Sequence, residues 1–264
     1  MEDKALYVRD GDAYVGTILT QGGWDPDAAN GGTVLALVGH CLDEVPTLVP
    51  MTLGRFTADI HRPVPIGRRL HVVPTVLREG KKIQLVELRL LSDDVEHVRV
   101  TALRLRDDVV GDGAVADTTD ARPGDTLLPP EESRHLRELA RDMPGFLRAV
   151  DMRRARTVDG TAIGAWLRLE AAVVAGSPVS PSARLAATFD YANLIGMDDH
   201  PTAVSMINPD VTAHILRPPT SEWIAITGDT RFNTALGRGV SRAELSDTDG
   251  VFAVVSTSQL VQTR

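Results

Sequence analysis

The sequence predicts an α+β protein assembled twice over, each half a buried helix wrapped by an antiparallel sheet. Three observations carry that expectation. Two segments of helical length, residues 33–42 and 182–197, are apolar on every side, the pattern of a buried helix rather than a surface one. Strand-like segments follow the first helix in succession. The strand GRFTADIHRPVP then returns as PDVTAHILRPPT: one constant offset carries Phe56 onto Val211, Ala58 onto Ala213, Ile60 onto Ile215 and Arg62 onto Arg217. The next hairpin recurs with one residue fewer, Leu91-Ser92-Asp93 matching Leu245-Ser246-Asp247.

In chain order, a polar lead-in precedes a short strand at 13–20, and Trp24-Asp25-Pro26-Asp27 is turn chemistry. Asn30 is a suitable N-cap for the first helix. Gly31 and Gly32 leave room for a backbone or a ligand at its first turn, where free N–H groups favour negative charge; a plain loop before a helix would look the same. Residues 55–61 alternate, with Phe56, Ala58 and Ile60 on one face. Segments 69–79, 81–92 and 95–106 are rich in Val, Leu and Ile and are separated by Gly80 and Ser92-Asp93-Asp94.

Residues 107–132 break the pattern with Asp, Gly, Thr and Pro. The expected division is therefore a unit at 1–106, a linker at 107–145 holding a short amphipathic helix at 133–141, and a second unit at 146–264. Strands expected at 145–151 and 163–172 lead into the second helix, with Asp190 in its middle. An unpaired buried carboxylate costs several kcal/mol or takes up a proton. Asp190 is thus paired, turned into a polar cleft, or at work.

Composition narrows the partners. The 264 residues carry a net charge of −8, which argues against a broad nucleic-acid surface. No stretch approaches the roughly 20 apolar residues of a membrane span, and the N-terminus lacks a signal-peptide pattern, so a cytoplasmic protein is expected. The lone cysteine, Cys41, reads as a buried small hydrophobe, and the 7 histidines form no zinc spacing, so neither metal nor cofactor is expected. His40 reads as a satisfied core histidine, while His61 and His214 face away from their apolar neighbours. Arg62 and Arg217, each before Pro, read as strand-end hydrogen-bond donors, with a ligand phosphate as the other candidate contact. GxSxG, P-loop and Rossmann fingerprints are all missing.

The NGG before the first helix, the paired RPVP and RPP strand ends, FDYANLIG, INPDVTAHILRPPTSEW and DGVFAVVSTSQLVQTR occur in an order that resembles the acyl-CoA thioesterase II-like family across nearly the whole chain. The resemblance implies a double hotdog fold and hydrolysis of a fatty or other acyl thioester. In that family an Asp on the second helix, a Ser or Thr opening the next strand and a Gln on the last strand hold the hydrolytic water. Matched residue by residue, these fall on Asp190, Asn208 and Gln259. Asn208 departs from the pattern, since an amide can orient a water or carbonyl but has no hydroxyl. Thr212 lies four residues on, outside the register of the site.

The resemblance also implies that Asn30, Gly31 and Gly32 supply oxyanion donors and that the substrate is an acyl-CoA or acyl carrier protein thioester. No nucleic-acid or membrane partner is implied, and any homo-oligomer would be built from whole two-unit chains. Two other functions fit the same residues: an acyl-thioester-binding protein whose hydrolysis is vestigial, and a hotdog hydratase or dehydratase. The latter commonly needs an Asp/His pair, which the surroundings of Asp190 lack.

Overall fold

The computed structural model describes residues 4–23, 25–108, 127–136, 145–158, 160, 163–196 and 204–263. Its first half contains β1 (Ala5–Asp10), β2 (Ala13–Gly16), α1 (Gly31–Asp43), β3 (Met51–Ile60), β4 (Arg69–Arg78), β5 (Ile83–Ser92) and β6 (Val95–Arg106). The second contains β7 (Arg134–His135), β8 (Val150–Arg156), β9 (Ile163–Leu169), β10 (Ala172–Val174), α2 (Pro181–Phe189), β11 (Val204–Ile207), β12 (Asp210–Ile215), β13 (Ile224–Asn233), β14 (Arg238–Asp247) and β15 (Gly250–Thr263). All join one sheet in the order β10-β1-β2-β4-β5-β6-β3-β12-β15-β14-β13-β9-β8-β7, with β11 also beside β15. The pairings are antiparallel except β1 with β10. This is the double hotdog architecture, two buried helices within one wrapped antiparallel sheet.

The halves meet at β3 and β12, which pair antiparallel with Thr57 opposite Thr212. The offset that relates the repeats also carries Thr57 onto Thr212, so the local two-fold axis of the duplication passes between them. Their hydroxyls lie 3.5 Å apart there. Each half carries the same irregularity. The β3–β6 ladder slips by one residue between Leu53 and Arg55. In the second half the strand breaks between β11 and β12 at Asn208-Pro209, and the register against β15 slips by one residue. Such a bulge re-aims the residues beside it.

Beneath the sheet α1 and α2 pack antiparallel at close range. A side chain on Gly39 would strike the Ser182 carbonyl at 2.5 Å, and one on Gly32 the Ala187 carbonyl at 2.8 Å. Glycine is required where backbones approach this closely. The core between helices and sheet includes Leu35, Leu37, Phe56, Leu88, Phe189 and Phe252, all with essentially no exposed surface.

Several local expectations are corrected. The lead-in contains β1, whose Ala5, Leu6 and Tyr7 are buried while Val8, Arg9 and Asp10 are exposed, so its polar half masked a strand. The strand expected at 13–20 stops at Gly16. Thr17 then caps a 3₁₀ turn, Ile18–Thr20, through its hydroxyl. In place of the start of the amphipathic helix, Arg134 and His135 pair with β8, while residues 137–141 lie outside the described residues. Residues Gly145–Arg148 form a 3₁₀ turn before β8. The second helix is shorter than its apolar run: α2 ends at Phe189, and Asp190–Gly196 continue as a tighter 3₁₀ helix. Asp190 therefore stands at the end of α2 and not in its middle.

Candidate active site

The end of α2 faces the start of α1. Asn30 caps α1, its Oδ1 accepting the Gly32 N–H at 3.0 Å and the Tyr191 hydroxyl at 2.9 Å. Tyr191 follows Asp190 directly, so this bond ties the acid-bearing turn to the cap of the other helix. Gly31 makes the approach feasible: a Cβ there would lie 2.6 Å from the Asp190 carboxylate. The carboxylate rests against backbone at a helix N-terminus, where N–H groups and the helix dipole favour negative charge.

Asn208, freed from the ladder by the strand break, reaches Asp190 from the sheet. Its Nδ2 donates to Asp190 Oδ1 at 2.9 Å and to the Asp190 carbonyl at 3.0 Å. Its Oδ1 accepts from Asn193 Nδ2 at 3.3 Å, which fixes the amide with its donors toward the acid. Both Nδ2 hydrogens are thereby engaged. Asn208 thus grips the Asp190 carboxylate.

Asp190 is half-buried and forms no ion pair among the described residues. Burial pushes its carboxyl up to about 6, against opposing pulls from the Asn208 amide and the Gly32 N–H. A carboxylate stabilised by amides and no cation is poised to exchange a proton near neutrality.

Gln259 lies on the neighbouring strand position. The register Ile207↔Leu260, carried one residue further, sets Asn208 beside Gln259. Gln259 is 3% exposed, far from the surface residue its place near the C-terminus suggests. Its Nε2 donates to Ser241 Oγ at 2.7 Å, and its buried Oε1 has no partner among the described residues.

Thus Asp190, Asn208, Asn30, Gly31 and Gly32 come together, with Gln259 one ladder position from Asn208 and hydrogen-bonded to neither amide nor acid of that group. The Gly32 N–H is donated to Asn30 Oδ1, and among the described residues the Gly31 N–H at the start of α1 has no partner. Thr212 sits at the central seam, away from this group. Sequence reasoning does not single out Asn193, Tyr191 and Ser241, which bond to Asn208, Asn30 and Gln259. The first two lie inside the FDYANLIG motif, where the motif itself was a signal; Ser241 becomes visible only through strand register.

Other polar candidates have structural roles. Arg62 donates to the Glu96 carbonyl, and Arg217 grips Asp247 and the Gly250 carbonyl. Cys41 is buried, and burial raises its thiol to about 11. His40 is buried, but among the described residues neither ring nitrogen has a hydrogen-bond partner, which departs from the expectation of a satisfied core histidine. The nearest carboxylate, Glu44, is 3.7 Å from its Nε2, and burial lowers the His40 pKa. No described helix is long and apolar enough to cross a membrane, and the described residues hold no cluster of three or more His, Cys, Asp or Glu fit for a metal.

Sequence models of two domains match the chain: the acyl-CoA thioesterase N-terminal domain over residues 20–105 and the acyl-CoA thioesterase C-terminal domain over residues 119–262. The chain belongs to the acyl-CoA thioesterase family. Family membership makes it a thioester hydrolase. No curated protein matches it in sequence. Solved structures share its fold at low identity. A candidate thioesterase from Novosphingobium aromaticivorans superposes with a TM-score of 0.71 at 19% identity, covering 97% of this chain and 98% of that one. A hot dog fold protein from Alicyclobacillus acidocaldarius gives 0.65 at 17%, covering 100% and 97%. Acyl-CoA thioesterase II of Mycobacterium marinum gives 0.62 at 12%, covering 97% and 94%.

Proposed function

We propose that this thioesterase hydrolyses acyl-CoA by a water molecule that Asp190 activates at the junction of α2 and the N-terminus of α1. One observation carries the reading: Asp190 is pressed against Gly31, held by amides and no cation, with its carboxyl raised to about 6. Such a group is ionised at neutral pH yet basic enough to take a proton in a transition state.

The water gives one proton to Asp190 as its oxygen attacks the thioester carbonyl. The Gly31 N–H, at the positive end of α1, lies where the carbonyl oxygen gains charge. The tetrahedral intermediate then expels the thiolate, and protonated Asp190 returns its proton to sulfur. A thiol with a pKa near ~8.5 leaves readily, so little more is asked of the protein. Asn208 acts by fixing the carboxylate, and Gln259 accepts the water's second hydrogen bond.

The test is thiol release from short, medium, long and aromatic acyl-CoAs by the intact protein and by Asp190→Asn. A fall of about 100-fold or more in kcat for the variant, with folding retained, is the expected result. Equal turnover by both proteins would remove Asp190 from the chemistry. Saturable binding with no turnover would replace hydrolysis with thioester binding.

A further inference from the structure

The sheet beneath the site carries a row of hydroxyls that its duplicate lacks. In the second half Thr230 pairs with Ser241, and Ser241 with Thr257. The repeat offset carries Val86 onto Ser241 and Ala102 onto Thr257, and Val86 pairs with Val76 and Ala102 as Ser241 pairs with Thr230 and Thr257. The fold therefore accepts an aliphatic row at this level of the sheet. Ser241 is fully buried, and a buried hydroxyl that packing does not require has another reason to be there.

Its bonds supply that reason. Ser241 Oγ accepts from Gln259 Nε2 at 2.7 Å and lies 2.7 Å from Thr230 Oγ1. Either hydroxyl of the Ser241–Thr230 pair can donate, since Ser241 Oγ keeps a second lone pair, and the bond holds Ser241 Oγ in place to accept the amide. On its other side Gln259 is confined by Gly239, where a Cβ would stand 2.5 Å from Oε1. The amide atom against the Gly239 Cα hydrogens is best an oxygen, since an NH₂ there would set hydrogen against hydrogen.

We infer that Ser241, anchored by Thr230, is a positioning residue that fixes the Gln259 amide so that Oε1 is the atom left free to accept a hydrogen bond from the attacking water. The inference rests on the water-activation reading above. Were the amide reversed, Gln259 would offer a donor to the water and compete with the developing nucleophile.

Ser241→Ala, Thr230→Val, Gln259→Ala and the double variant Ser241→Ala/Gln259→Ala test it. Alanine and valine suit positions that the first half fills with aliphatics. Ser241→Ala is expected to lower kcat about tenfold with KM within about twofold, and Thr230→Val about threefold. In the Gln259→Ala background Ser241→Ala should change nothing, because its partner is already gone. A Ser241→Ala kcat within twofold of the parent, or a full additional loss in the Gln259→Ala background, overturns the inference. The side-chain amide protons of Gln259, assigned by their loss from the NMR spectrum of Gln259→Ala, give a readout without turnover. They should exchange slowly in the parent and faster in Ser241→Ala, and no change overturns the inference. If the parent hydrolyses no thioester while these signals respond, the orientation of Gln259 stands and the hydrolase reading alone falls.

Discussion

Where the second half sets Asn208 beside Gln259, the first half pairs Leu53 with Arg104, and where the second has Gly239, the first has Gln84. Each helix also sends a carboxylate to the start of the other. Asp43 accepts the Ser182 N–H at 2.8 Å and its hydroxyl at 2.7 Å, and the Asp190 carboxylate packs against Gly31. The surroundings then diverge. Arg104, buried, comes within 3.8 Å of Asp43 and donates to the Leu42 carbonyl, to the Val45 carbonyl at 2.7 Å and to Gln84 Oε1 at 3.1 Å. Gln84 passes its own amide hydrogens to Pro46 and Glu79. The result is a polar knot around the end of α1, where the Leu42 carbonyl also accepts the Val45 N–H at 3.0 Å. In the second half an amide replaces the guanidinium and a glycine replaces the glutamine. A carboxylate facing a buried cation serves as an anchor; one buried beside amides alone is left with a raised pKa, which suits the base proposed above.

The largest effect that sharpens this contrast belongs to the anchor. Arg104→Met should cost about 2–4 kcal/mol of stability, because it takes a buried donor from the Val45 carbonyl and Gln84 Oε1 and leaves Asp43 without its cation. Chemical denaturation measures the loss, and kcat should stay within about twofold. A large fall in kcat at retained folding would show that the knot also serves catalysis and would break the division of labour.

Asp190 should behave in the opposite way. Its folded pKa lies above the value of an unfolded Asp, so the fold favours the protonated acid, and ionisation costs stability as pH rises through about 6. Asp190→Asn should therefore stabilise the protein by up to about 3 kcal/mol at pH 8, with the gain vanishing as pH falls toward ~4. Denaturation midpoints of the two proteins across that range check the sign. The parent's kcat/KM should also lose activity below a midpoint near pH 6, since the base must be ionised.

The smallest change concerns the space beside Gln259. In Gly239→Ala the new methyl meets the flexible end of the Gln259 side chain and not backbone. Stability should fall by no more than about 1 kcal/mol while kcat drops about tenfold as the amide is displaced. Steady-state kinetics with a melting curve separates the two. An unchanged kcat would mean that the position of Gln259 is immaterial.

Much of this was legible before any coordinates. Apolar periodicity marked α1 and the long strands β3 to β6, and the repeat revealed the duplication. The all-apolar run marked Asp190 as an acid out of place, and family resemblance pointed to Asn208 and Gln259, which no local pattern distinguishes from ordinary polar positions. What stayed hidden depends on distances that sequence does not encode. The end of α2 at Phe189 was invisible because the apolar run continues through the 3₁₀ turn. Ser241 and Asn193 looked like unremarkable polar residues until register and turn geometry set them against Gln259 and Asn208. β1 was lost because only three of its six residues are buried.

The seam at Thr57 and Thr212 has a consequence for how such a site can arise. Were the halves separate, identical chains, each substitution would appear on both sides of the axis, and an arginine that anchors one helix would confront the acid of the other. Covalent linkage keeps the partner at a fixed local concentration however dilute the protein becomes, and gives each position its own codon. One half is thereby free to specialise in holding the assembly together, and its twin can carry an ionisable group that a self-paired chain would have to bear twice.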